Sequence, residues 1–258
     1  MNLMAGKRVL VTGAGSNVGR AVCEQFARAG ARLVLADLDL DRGQQAAATV
    51  PGMAATVMQV DLTVAAHCAR MADAAREAFG GIDVLCNTAG IDPPTARRVH
   101  ETSEADWDRI LAVNLKGVFL ACRAILPAMV AQGSGSIVNV ASQGALLAMP
   151  AMAAYGVSKA AVVQLTRQIA ADYAADGVRA NCVCPSGLLT PSLDRVSMLG
   201  EEQLARRAET MRRAAPLGRI CTPEDVASAM LFLASEMSAF ITGAALPVEG
   251  GATITLKF

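Results

Sequence analysis

The chain has 258 residues, 53% of them apolar and 18% charged, a composition that excludes intrinsic disorder and leaves ample material for a core. Lys plus Arg equal Asp plus Glu at 23 each, so no net field draws the surface to nucleic acid or to an anionic membrane. The cysteines (Cys23, Cys68, Cys86, Cys122, Cys182, Cys184 and Cys221) are scattered and odd in number, which excludes a disulfide framework and suits buried thiols in a reducing, cytoplasmic compartment.

The first strand-like run, Arg8–Thr12, follows a short head with neither the basic nor the apolar segment of a signal peptide. No stretch of about 18 apolar residues occurs, so no membrane span is expected. The turn Thr12-Gly13-Ala14-Gly15-Ser16-Asn17-Val18-Gly19 leads into a helical pattern over Val18–Ala29. A second strand over Arg32–Asp37 and a helix over Leu40–Thr49 come next, then a strand over Ala55–Val60 and a helix over Val64–Phe79. Val84–Asn87 reads as a strand and Ala105–Ala131 as one long helix. Ser136–Val140, the helix Tyr155–Ala175, Arg179–Cys184, the helix Pro223–Ser235 and Ala245–Val248 complete the series. The strands are nearly continuous Val, Ile, Leu and Ala, as a parallel strand covered on both faces requires. Alternation along the whole length predicts one α/β domain over 1–258: a doubly wound, mostly parallel, seven-stranded sheet with helices on both faces, Rossmann-like. Three long connections, about 91–102, 141–154 and 185–216, follow the carboxyl ends of strands, where open α/β sheets bind ligands.

The glycine turn lies at the first strand–helix joint. There Gly13, Ser16, Asn17, Val18 and Gly19 would bring backbone and a helix N-terminus to a pyrophosphate. A glycine cluster alone can also be a turn without a ligand. Asp37, at the end of the second strand, is the acid that accepts from adenosine ribose hydroxyls and repels a 2′-phosphate. Leu38 follows where an arginine would have received that phosphate, so NAD is favoured over NADP. Asp39, just before a helix, reads as an ordinary cap.

Tyr155 and Lys159 are four apart and share a helix face. An ammonium beside a phenol lowers its pKa and makes it a workable acid/base at neutral pH. Ser142 follows a strand at the ligand edge and can hold a substrate oxygen, or be an ordinary loop serine. Asn114 sits in an apolar helical run that disfavours it, so it either bends the helix and holds a relay water or is a satisfied buried amide. Tyr173, about 27 Å further along the same helix, serves as packing. His67 reads as a helix-surface residue, and His100, in the first long loop, is a candidate substrate contact. Cys182 and Cys184 read as core strand residues; neither they nor the histidines have metal spacing, so no metal is expected.

Taken in order, Thr12-Gly13…Gly19, Asp61-Leu62-Thr63, Asn87-Thr88-Ala89-Gly90, Asn114, Ser142, Tyr155-x-x-x-Lys159, Pro185…Thr190-Pro191 and Glu249-Gly250-Gly251 resemble the short-chain dehydrogenase/reductase family over essentially the whole chain. The resemblance implies Asn114, Ser142, Tyr155 and Lys159 as a catalytic tetrad. It implies Asp61 and Leu62 at the adenine and Asn87, Ala89 and Gly90 along the cofactor. Tyr155 and Lys159 would also touch the cofactor, with Pro185, Leu188 and Thr190 beside the nicotinamide. Asn17, Thr88 and Ser186 depart from the family pattern. The implied activity is hydride transfer between NAD(H) and a secondary alcohol or ketone. Two alternatives share these residues: an NADPH-dependent 3-oxoacyl reductase, against which Asp37 argues, and a non-catalytic dinucleotide sensor, against which the tetrad argues. Gln143, Leu146, Leu147, Met149, Met152, Leu188, Leu189, Leu193 and Met198 are candidate lining of an apolar pocket, and Arg97, Arg98 and Arg195 are candidate carboxylate partners or solvated surface. The surplus apolar surface of Tyr155–Ala175, with the resemblance, implies a homotetramer built on that helix and Ala105–Ala131.

Overall fold

The computed structural model describes residues 2–50, 55–189 and 200–254. In chain order the elements are β1 (Arg8–Thr12), α1 (Asn17–Arg28), β2 (Arg32–Asp37), α2 (Leu40–Ala48), β3 (Thr56–Gln59), α3 (Ala65–Phe79), β4 (Val84–Asn87), α4 (Glu104–Leu111) and α5 (Gly117–Gln132). They continue with β5 (Gly135–Val140), α6 (Ala153–Tyr173), β6 (Val178–Pro185), α7 (Glu201–Ala214), α8 (Pro223–Ala234) and β7 (Ala245–Val248). The seven strands form one sheet in the order β3-β2-β1-β4-β5-β6-β7, every pair parallel. The chain builds outward from β1 to β3, then returns to lay β4 on the other side of β1. That reversal opens a crevice above the carboxyl ends of β1 and β4.

Both faces of the sheet are covered, which explains strands without polar alternation. Val9, Val11, Leu33, Leu35 and Val138 pack against Val22 and Phe26 of α1 and Met230 and Leu233 of α8. Leu10, Val34, Leu85 and Ile137 face the opposite way, onto Met71 of α3, Ile125 and Met129 of α5, and Val162 and Ile169 of α6. Tyr173 packs against this second cluster, as expected. Six cysteines are buried, Cys221 is partly so, and all seven are free thiols.

The expected long helix over Ala105–Ala131 is present, running Glu104–Gln132, but it carries an irregular turn. A π-helical turn over Ala112–Lys116 separates α4 from α5, and Asn114 lies within it. No run of about 18 uninterrupted apolar residues occurs, as expected, although an 18-residue window within the 29-residue stretch Glu104–Gln132 reaches a mean hydropathy of 1.6, apolar enough for a membrane span. Half of that stretch is buried inside the fold, where α5 covers the sheet. The helix that carries Tyr155 and Lys159 starts two residues earlier than expected, at Ala153.

Candidate active site

At the end of β1, Gly13 takes a left-handed backbone (φ +66°), and a Cβ there would meet Ala89 Cα at 2.6 Å. Gly19 lies so close to the Gly13 carbonyl that no side chain fits between them. Ser16 caps α1, its hydroxyl accepting from Gly19 N at 3.0 Å. Asn17 is the first residue of the helix, and its position is not left-handed, so its departure from glycine carries no backbone strain. Thr88, the second departure, donates its hydroxyl to the Thr12 carbonyl at 2.7 Å and ties the turn to the end of β4. At the third, Ser186 N donates to Val248 O at 3.1 Å and prolongs the β6–β7 pairing.

Asp37 is buried beside this turn: Oδ2 accepts from Gly15 N at 2.8 Å and Oδ1 from Asp39 N at 3.0 Å. Arg20 and Arg42 both donate to the Gly15 carbonyl, at 3.1 and 3.3 Å. Leu38 is exposed, and Asp39 caps α2 through Asp41 N and Arg42 N.

Above the carboxyl ends of the strands is a cavity of about 470 Å³. Ser16, Asn17 and Val18 form one part of its wall, and Ser142, Tyr155 and Lys159 another. Ser142, just past β5, accepts from Gly144 N at 3.1 Å and hydrogen-bonds the Tyr155 hydroxyl. Lys159 is buried; its Nζ donates to Val140 O at 3.0 Å and lies 5.8 Å from the centre of the Tyr155 ring. Asn114 is fully buried. Its Oδ1 accepts from Ile91 N at 2.8 Å, and its Nδ2 donates to Ile91 O at 2.9 Å and to Ser158 Oγ at 3.2 Å. Ser158 in turn donates to the Tyr155 carbonyl at 2.7 Å. A Cβ on Gly90 would sit 3.1 Å from Lys159 Nζ and 3.4 Å from Asn114 Oδ1, so a side chain there would crowd the lysine head and force it to shift.

The protonation of this cluster departs from expectation. Burial pushes the Tyr155 phenol up to about 12, with the charge of Asp92 adding to the rise and the Ser142 hydrogen bond opposing it. Burial pulls the Lys159 amine down to about 8, against the pull of Asp92. Desolvation therefore outweighs the lowering of the phenol that an adjacent ammonium was expected to give.

A family model described as enoyl-(acyl carrier protein) reductase matches residues 13–253 of the chain. The chain belongs to the short-chain dehydrogenase/reductase family. It is 39% identical over 98% of both chains to 2-(S)-hydroxypropyl-CoM dehydrogenase 3 of Xanthobacter autotrophicus. To D-threitol dehydrogenase of Mycolicibacterium smegmatis it is 38% identical, covering 96% of this chain and 94% of the relative. Among solved structures, levodione reductase superposes with a TM-score of 0.91 at 27% identity, covering 98% of this chain and 100% of the other. This short-chain dehydrogenase/reductase is accordingly an oxidoreductase acting on CH–OH groups, of a family that uses nicotinamide dinucleotides. Its site fits such a group: a helix N-terminus, an acceptor carboxylate at the end of β2, and a long cavity joining the glycine turn to Tyr155.

Not every expected residue reaches the cavity of this dehydrogenase/reductase. Gly90, Pro185, Leu188, Gln143, Met149 and Met152 do. The Asn87 side chain does not: it accepts from Thr12 Oγ1 and donates to Asn139 Oδ1, inside a buried chain of polar groups that crosses the sheet. Leu62 packs its side chain into the core, while the Asp61 carboxyl is held below its ordinary value by hydrogen bonds from Thr63. His67 is not a free surface residue; its Nδ1 accepts from Asp61 N at 3.3 Å. Leu146 and Leu147 are exposed, and so are Arg97, Arg98 and His100, none of which lines the cavity. Thr190, Pro191, Leu193, Arg195 and Met198 lie outside the described residues. The sequence reading missed Ile91, Asp92, Arg207 and Met211 in the cavity wall. Asp92 carried one signal, its place in the loop next to Gly90. Arg207 carried none, because it stands in a run of charges that reads as a solvated helix face.

Proposed function

We propose that this chain is an NAD-dependent dehydrogenase of secondary alcohols, working in the cytoplasm, in which Tyr155 carries the substrate proton. The convergence of Ser142, Tyr155 and Lys159 on one wall of the cavity that begins at the glycine turn carries this reading. Bound nicotinamide would supply the acceptor for the hydride in oxidation and the donor in reduction. As the carbinol C–H bond breaks and the C=O forms, the O–H proton passes to Tyr155; in reduction the phenol returns it to the oxygen. Ser142, already bonded to the Tyr155 hydroxyl, holds the substrate oxygen while charge develops on it.

Lys159 holds a cationic head beside Tyr155 and would bind the nicotinamide ribose. Asn114 fixes the Ile91 loop against the helix bearing Tyr155, and as a member of the tetrad it would position the water through which the proton leaves. Gly13, Ser16, Asn17, Val18 and Gly19 would hold the pyrophosphate, with Asp61, Ala89 and the backbone of Leu62 serving the adenosine and Pro185 and Leu188 the nicotinamide. Asp37 supports NAD over NADP. It is an acceptor-only carboxylate at the ribose position, where a 2′-phosphate would meet like charge. The side chains exposed on α5 and α6, Phe119 at 44% and Val157 at 48%, support a homotetramer assembled on these helices.

The test is a screen of alcohols, polyols and hydroxy acids with NAD and with NADP, following formation of the reduced nicotinamide. Oxidation of secondary alcohols with at least tenfold higher kcat/KM on NAD is expected. Turnover confined to NADPH with 3-oxoacyl substrates would overturn the proposal.

A further inference from the structure

Among the described residues, two buried side-chain polar atoms have no hydrogen-bond partner: Gln143 Oε1 and Arg207 Nε. Both side chains belong to the wall of the cavity that holds Ser142 and Tyr155. Buried polar groups in folded proteins are almost always paired. Two orphans on one cavity, an acceptor and a cationic donor, therefore define the complement of a ligand.

Arg207 stands apart from the other arginines of α7. Arg206 pairs with Glu202, while Arg212 and Arg213 share Glu209. Arg207 instead shares a helix face with Met211 and Ala214, one and two turns further on, and all three line the cavity. The acid in the same wall, Asp92, exerts its field on Tyr155 and Lys159. A neutral polyol offers such a guanidinium only single, uncharged acceptors, whereas a carboxylate answers it with paired charge-assisted hydrogen bonds.

We propose that the substrate is an acidic hydroxy compound. It is a secondary alcohol, or the matching ketone, that carries a carboxylate for Arg207 and a further hydroxyl that donates to Gln143 Oε1. The inference rests on the assignment of Ser142 and Tyr155 to the reacting carbon, and it names the substrate class of that same site.

The probes are 3,4-dihydroxybutyrate and butane-1,2,4-triol, which differ only in carboxylate against hydroxymethyl. Steady-state rates give kcat/KM for each, and calorimetry gives the affinity of the acid for the NAD-loaded protein and of NAD for the free protein. The wild type is expected to favour the acid by at least tenfold. In Arg207→Met the acid-to-triol ratio should fall at least about tenfold, to near parity, chiefly through KM, with NAD affinity held, and Arg207→Lys should recover part of the ratio. Equal use of the two probes, an unchanged ratio in Arg207→Met, or no binding of the acid would overturn the proposal. So would a loss of NAD affinity in that variant, which would assign the guanidinium to the dinucleotide pyrophosphate. Acid binding that depends on Arg207 without oxidation of either probe would uphold the anion site and refute the assignment of Ser142 and Tyr155.

Discussion

Burial sets the protonation of Tyr155 and Lys159 in opposite senses. The phenol is pushed up to about 12 and the amine down to about 8, so at neutral pH the site presents a protonated phenol beside an ammonium. Those are the forms that reduce a ketone. Oxidising an alcohol requires the phenol to give up its proton first, so kcat/KM for oxidation should rise with pH through the alkaline range. Asp92 adds to the phenol's rise. In Asp92→Asn the alkaline limb of the oxidation profile should therefore move to lower pH, and an upward or absent shift would refute the role given to that carboxylate. Stability follows the same charges. Between about 8 and 10.5 the unfolded lysine holds a proton that the folded one has lost, so Lys159 contributes stability that grows with pH across that window. Between 10.0 and about 12 the folded tyrosine keeps a proton that the unfolded one has lost, and its contribution falls as pH rises.

At the scale of elements, the π-helical turn over Ala112–Lys116 is the device that brings Asn114 under the active site. Its amide satisfies both backbone groups of Ile91 and the hydroxyl of Ser158, joining the loop after β4 to α6. Asn114→Ala would leave those partly buried groups unpaired, at a cost of about 1–3 kcal/mol. Denaturant unfolding should register that loss, and turnover should fall with it; a variant of wild-type stability would show that the amide is dispensable to the fold. The sequence made this element half legible. An asparagine in an apolar helical run demanded a partner, but the partners come from Ile91 and Ser158, far apart in the chain. Tyr155, Lys159 and the glycine turn were legible because their spacing is local to one helix or one turn. Arg207 was not, because whether a charged side chain on an exposed helix faces water or a cavity depends on how that helix lies over the sheet. Leu62 and Asn87 illustrate the same limit: each sits within a motif that the family resemblance assigns to the cofactor, and each turns its side chain inward.

For the whole molecule, strand composition foretold a parallel sheet buried on both faces, and the sheet reversal between β1 and β4 locates the cavity. Phe26 anchors the layer between α1 and the sheet with no exposed surface, so Phe26→Ala should cost about 3–5 kcal/mol, visible as a lowered unfolding midpoint without altered cofactor preference. A midpoint within about 1 kcal/mol of wild type would contradict that account of the core. The proposed tetramer is open to sedimentation equilibrium. A monomer at micromolar concentration would leave Phe119 and Val157 as ordinary exposed side chains. The claim that Tyr155 moves the substrate proton is tested most directly by Tyr155→Phe, measuring NAD affinity by calorimetry and turnover on the best alcohol found. NAD affinity should hold while kcat falls by about 10²–10⁴-fold, and a variant that keeps substantial turnover would contradict the mechanism.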